Sequence, residues 1–203
     1  MKKLTDEQPE QLPDEGFGTL KRRRIWADIS GGNLTAEELF ERFADDFNEV
    51  TPGILDAGAE PGTESDLVKG RTITMSLPMR GNIQVKVEEI TPRKATLVTL
   101  AGHPLAGAVR FLSEQRGRQV RFEAQIFDRP ASLPDWLAMK TPGESLQPRT
   151  WEGLVERMVQ ETGGTAPDGI EQTEDCLDEH QADLIDDWLR DLLMERKRRG
   201  SGA

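Results

Sequence analysis

Between Val68 and Asp128 the sequence runs through five apolar-patterned segments closed by turn signals, and that pattern restricts the core to an antiparallel sheet. Ile73, Met75 and Leu77 alternate with polar residues before Pro78-Met79-Arg80-Gly81 turns the chain. Ile83, Val85 and Val87 mark the next run, which Thr91-Pro92-Arg93 closes. Ala95 to Leu100 is more evenly apolar and ends at Gly102-His103-Pro104. Residues 106–114 and 119–128 then predict a hairpin around Arg116-Gly117-Arg118, with Val120, Phe122, Ala124 and Ile126 on one face. Turns this short leave no room for the crossovers that a parallel sheet needs.

Helical signals bracket the run. Leu20 to Ile29 reads as a first strand, with Ile25, Ala27 and Ile29 alternating against Arg24, Trp26 and Asp28. Thr35-Ala36-Glu37-Glu38 follows as a capping box, flanked by Leu34 and Leu39 at staple spacing. Ala36, Leu39, Phe40, Phe43, Ala44 and Phe47 continue as one helical face, and Thr51-Pro52-Gly53 ends it. Residues 52–66 read as a loop or short helix, and residues 131–146 as irregular. Trp151, Leu154, Val155, Met158 and Val159 form a second apolar stripe, which starts near Pro148 and stops at Gly163-Gly164. A third helix is expected near 174–199, with Leu177, Leu184, Ile185, Trp188, Leu189, Leu192 and Leu193 on one side.

The expected fold class is α+β: a curved antiparallel sheet of about six strands gripping a long helix, plus an extra acidic amphipathic helix. This order resembles the START-like, or helix-grip, superfamily. The expected domains are a disordered leader over 1–16, a START-like domain over 17–164, and a linker with the acidic helix over 165–203.

Composition narrows function mainly by exclusion. The net charge of −11 divides into −3 over residues 1–16, −2 over 17–164 and −6 over 165–203, so the central body is nearly neutral. Lys21-Arg22-Arg23-Arg24 lies on a strand whose residues face alternate ways, and Arg196-Lys197-Arg198-Arg199 closes a helix, where cations offset the dipole. Neither makes the extended basic surface of a nucleic-acid binder. No apolar stretch reaches the roughly 20 residues that span a bilayer, and no apolar segment follows the leading lysines. The single cysteine, Cys176, allows neither an intrachain disulfide nor a cysteine cluster for zinc. The expectation is a cytoplasmic protein with no nucleic-acid or membrane partner.

The segment Thr99-Leu100-Ala101-Gly102-His103-Pro104-Leu105-Ala106-Gly107, followed by Arg110-Phe111 and by Phe127-Asp128-Arg129-Pro130-Ala131, resembles an uncharacterised bacterial and plant family of START-like fold. That family pairs a TL-x-GHP-x-x-G loop with a strand ending in F-S-R-P-A; here Asp128 replaces the serine. The family often carries paired acids after the glycine, where this chain has Ala108-Val109, so any activity resting on those acids would be lost. The resemblance covers about residues 68–160. It implies a fold and brings no catalytic residues.

Catalytic groups are sparse. There is no tyrosine, no serine in a G-x-S-x-G setting and no G-x-x-x-x-G-K-[ST] phosphate loop. Asp45-Asp46 and Asp186-Asp187 are adjacent pairs that diverge around their helices. No catalytic residue, metal ligand or cofactor is therefore expected. His103 is either a polar handle at a pocket mouth or part of a tight loop bonded to backbone. Arg110 and Arg129 are either ligand handles or cross-strand partners of Glu114 and Glu123. Met75, Phe122, Trp151 and Met158 are the expected apolar lining.

These residues suggest a non-catalytic binding module for a small apolar or amphipathic molecule held between sheet and helix. The alternative is a protein-interaction module with a filled or vestigial pocket, acting through residues 174–199 on a partner or a second copy. A cyclase- or hydratase-like enzyme is the third choice.

Overall fold

A computed structural model describes residues 8–50, 66–77, 81–138 and 147–200. The readings of residues 51–65, 78–80 and 139–146 as loops and turns lie outside the described residues. In chain order the elements are β1 (Lys21–Ile29), α1 (Ala36–Asp45), α2 (Phe47–Val50), β2 (Thr72–Leu77), β3 (Gly81–Thr91), β4 (Lys94–Thr99), β5 (Leu105–Arg116), β6 (Gln119–Pro130), α3 (Leu133–Ala138), α4 (Gln147–Glu161), β7 (Glu171–Cys176) and α5 (Glu179–Gly200). The strands form one curved antiparallel sheet in the order β2-β3-β4-β5-β6-β1-β7.

Strand alternation sorts the side chains onto two faces. Ile25 lies opposite Ala124, Ala27 opposite Phe122 and Phe111 opposite Ala124, so their apolar side chains share the concave face. Val87, Leu97 and Ala95 extend that face across β3 and β4. The capping box forms as the sequence predicts: Thr35 Oγ1 accepts the Glu38 N–H at 3.3 Å, and the Glu38 carboxylate accepts the Thr35 N–H at 2.8 Å. It starts α1 so that Leu39, Phe40 and Phe43 turn onto the sheet, at most 1% exposed. On α4, Leu154, Val155 and Met158 are fully buried in the same cluster.

Two expectations are corrected at the ends of the chain, and the stripe of the last helix finds its place. Residues 8–16, expected within a disordered leader, run as a strap along the sheet: the Gln11 N–H donates to Thr99 O, and the Gly107 N–H donates to Gln11 O. Glu171 to Cys176, expected near the start of a helix, instead form a seventh strand on β1. The reason is charge matching: Lys21 Nζ is 2.6 Å from Glu174 Oε1, and Arg22 Nη2 is 3.0 Å from Asp175 Oδ2. The basic run on β1 and part of the acidic tail thus offset each other. Finally, the α5 stripe docks on its own chain, where Leu189, Leu192 and Leu193 cover Val98 and Ala108 of the convex face together with Leu12.

Candidate ligand site

The grip is the space between the concave face and α4, and much of it is filled by α1. The Phe43 ring is 4.8 Å from that of Phe111 and 5.1 Å from that of Phe122, centroid to centroid. Phe47 is 6.0 Å from Phe111, and Phe40 is 5.5 Å from Phe43. Phe122 and Met158, expected as pocket lining, are therefore packed core residues with no exposed surface. Met75 takes its place on β2 opposite Ile83, and its side chain lies outside the described residues.

Trp151 differs from them. It packs against Phe111 at 5.8 Å and is only partly buried, together with Ile73 and Val109. Its indole Nε1 is buried and finds no hydrogen-bond partner among the described residues. An orphaned buried donor of this kind costs about 1–3 kcal/mol relative to a satisfied one. Ser113 Oγ is another such atom on this face, but it lies opposite Phe122, where the phenylalanines of α1 fill the space.

A charged pair also lies on the concave face of the sheet. Arg23 lies opposite Ile126 and shares the face of Ile25; Asp128 lies two residues beyond Ile126, opposite Gly107. Arg23 Nη2 is 2.5 Å from Asp128 Oδ2, and both side chains are largely buried. Burial pushes the Asp128 carboxyl up, while the Arg23 guanidinium pulls it down. Sequence reasoning missed both residues, although strand alternation already put Asp128 on the face of Phe122.

The predicted polar handles do not join this site. His103 is 7% exposed, with Nδ1 3.0 Å from Leu105 N and 2.9 Å from Leu105 O. Burial drops its imidazole to about 4, so it is neutral and shapes the loop. The two glycines of the motif serve the same loop. Gly102 has φ +90°, and a Cβ on Gly107 would lie 1.9 Å from Phe127 O.

Arg110 and Arg129 point to the convex face, a correction to their role as handles in the grip. Arg110 stacks on Trp188 of α5, 4.9 Å from the ring centroid. Arg129 pairs with Asp186 of α5 at 3.6 Å and donates to Gly18 O at 3.2 Å. It also lines a cleft of about 370 Å³ between the strap, β1 and α5, alongside Asp14, Asp183 and Asp186. Among the described residues, no group of three or more His, Cys, Asp or Glu side chains is arranged to hold a metal ion, and no helix is long and apolar enough to cross a membrane.

No family model matches the chain, and no curated protein matches it in sequence. The likeness to the uncharacterised family thus rests on the loop and strand residues quoted above. Solved structures do match. The di-domain ARO/CYC StfQ from the steffimycin biosynthetic pathway aligns at 11% identity over 74% of this chain and 52% of its own, with a TM-score of 0.51. This chain therefore spans about half of that protein. A conserved protein from Geobacillus kaustophilus aligns at 10% identity over 74% of this chain and 98% of its own, with a TM-score of 0.49. Ara h 8.0201 aligns at 14% identity over 70% of this chain and 97% of its own, with a TM-score of 0.39. At these identities the likeness concerns fold alone. The fold is the helix-grip.

Proposed function

We propose that the protein is a non-catalytic binding module that holds a small apolar or amphipathic molecule at the Trp151 end of the grip. The observation that carries this reading is the buried indole N–H of Trp151, unpartnered among the described residues, beside partly buried Val109 and Ile73. Such a donor is satisfied by an acceptor on a bound molecule whose apolar body covers the neighbouring side chains. The Arg23–Asp128 pair supplies the polar side of the site. The proposed setting is the cytoplasm, in keeping with a single, exposed cysteine.

The interaction-module alternative loses much of its support, because Leu189, Leu192 and Leu193 of the α5 stripe are already covered by the sheet, while Leu184 stays exposed. A cyclase-like reaction would occupy the same site, and StfQ, whose fold is similar, is described as an ARO/CYC protein. A molecule recovered unaltered separates binding from turnover.

The test is a thermal-shift screen with oleate and 1-naphthoate, joined to native mass spectrometry of protein purified from its own host. A ligand should raise the melting temperature by selective binding to the native state, and Trp151→Phe should abolish that rise. No retained molecule and no shift with either probe would sink the reading.

A further inference from the structure

We propose that the amino-terminal strap, residues 9–14, transmits the docking of α5 to the Gly102–Gly107 loop, so that the β4 side of this loop keeps its bonds only while α5 is seated. The strap touches both. Toward α5, Arg196 Nη2 donates to Glu10 Oε1 at 2.5 Å while its Nε donates to Glu88 Oε2 at 2.6 Å. The Asp14 N–H donates to Asp186 Oδ1 at 3.1 Å, and the Asp14 carboxylate pairs with Arg190. Leu12 packs among Leu189, Leu192 and Leu193.

Toward the loop, the strap replaces a missing piece of sheet. The pairing of β4 with β5 stops at Val98 and Ala108, and Gln11 occupies the gap that follows. Its N–H donates to Thr99 O at 2.7 Å, and its carbonyl accepts from the Gly107 N–H at 3.2 Å and from Thr99 Oγ1 at 2.9 Å. Its side-chain amide donates to His103 O and to Leu105 O, each at 3.0 Å. The Ala101 N–H donates to Pro9 O at 2.9 Å. The loop's other bonds run from the His103 N–H to Leu100 O and from the Ala131 N–H to Pro104 O, and Leu105 to Gly107 pair with Pro130 to Asp128 of β6 on their far edge, so the strap and Thr99 hold the β4 side of this segment.

The direction of dependence follows from burial. In the strap only Leu12 and Pro13 are buried, which is little to hold an extended segment against its chain entropy. Seating it depends on the leucines and arginines of α5. Local opening of α5 should therefore open the strap and the loop as one cooperative unit. Gly107 lies opposite Asp128, so the unit reaches the candidate ligand site. That consequence rests on the proposed function; the coupling itself does not.

Amide hydrogen exchange of the full chain tests the coupling without any ligand, so its outcome is separate from that of the binding test. Arg196→Gln should speed exchange of the Ala101 and Gly107 amides at least tenfold and by the same factor as the amides of α5, and both sets should stay faster than Phe122 and Leu154. Glu10→Gln, which leaves the Arg196–Glu88 pair in place, should act in the same direction and serves if Arg196→Gln does not fold. Coupling is reciprocal, so Gln11→Ala should speed exchange in the second half of α5. The proposal is overturned if the α5 variants leave Ala101 and Gly107 at the wild-type rate. It is equally overturned if Ala101 and Gly107 exchange as slowly as Phe122 and Leu154 in the wild-type chain, which would mean that they open only in global unfolding.

Discussion

The two faces of the sheet are built from the same strands, yet they are held by different physics. The concave face is apolar from Ile25 through Phe122 and Phe111 to Leu97, and it carries the Arg23–Asp128 pair at one end. The convex face interleaves charge with apolar contact. Arg24 pairs with Glu123 at 2.5 Å and Arg121 with Asp28 at 2.5 Å, and both guanidiniums stack on Trp26, at 5.3 and 5.1 Å. Beside them Ala108, Val98 and Phe127 lie under α5. Burial of area stabilises the first face whatever the details of side-chain geometry. The second depends on matching, because a buried carboxylate such as Glu88 or Glu123 costs heavily once it loses its arginine.

The largest expected effect separates these faces directly. Leu154 and Leu189 are both fully buried, one on α4 and one on α5. Leu→Ala costs about 2–5 kcal/mol, and the value within that range depends on how far the surroundings collapse. Leu154 is enclosed between α1, α4 and the sheet, so Leu154→Ala should fall near the top of the range. α5 has solvent on its far side and can settle, so Leu189→Ala should cost roughly 1–2 kcal/mol less. Urea titration of both variants measures the difference; an equal or larger loss for Leu189→Ala would show that the back layer is as tightly enclosed as the core.

The concave face was legible in the sequence because its signals are local. The Thr35–Glu38 capping box, the α1 phenylalanines and the α4 stripe each repeat at helical spacing, and Val120 to Ile126 alternates without interruption. The convex layer was not. β7 is exposed at every residue and carries no apolar alternation, so only complementary charge about 150 residues away marks it as a strand. The strap likewise has one buried leucine and no periodicity. Arg129 and Asp128 show a signal that was present but unused. Alternation from Phe122 puts Asp128 inside and Arg129 outside, whereas the motif resemblance drew attention to the arginine.

A smaller effect, and one that tests the motif loop, comes from His103. Its folded-state value of about 4 lies below the ordinary 6.5 because burial disfavours the imidazolium. Above about pH 6.5 both folded and unfolded chains hold it neutral, and it contributes no pH dependence. As pH falls from there toward 4 the unfolded chain takes the proton first, so stability is lost through that window, by roughly 3 kcal/mol at most. Raised carboxyls such as Glu88 and Asp186 act in the opposite direction, so the comparison must be made against a variant. Relative to His103→Asn, the wild-type chain should lose stability between pH 6.5 and 4. Parallel pH profiles for the two proteins would show that the imidazole is not held neutral by the loop.

The smallest effect belongs to the outermost strand, where the matching of charges is exposed to water. Lys21–Glu174 and Arg22–Asp175 join side chains that are 37–48% exposed, and exposed pairs contribute only about 0.2–1 kcal/mol each. Screening should remove even that, since the Debye length falls to about 3 Å at 1 M salt. Asp175→Asn should therefore cost a few tenths of a kcal/mol at low salt and nothing measurable near 1 M. Arg24→Gln is the contrast on the same strand β1. It leaves Glu123, which is 1% exposed and shielded from the ionic atmosphere, with the neutral Gln125 amide in place of its charged partner, so its cost of about 1–3 kcal/mol should persist at both salt concentrations. Urea titrations of the two variants at low and high salt distinguish the cases. If salt leaves the Asp175→Asn loss intact, β7 is held by something other than its exposed charges, and the division between screened edge and shielded face fails at this strand.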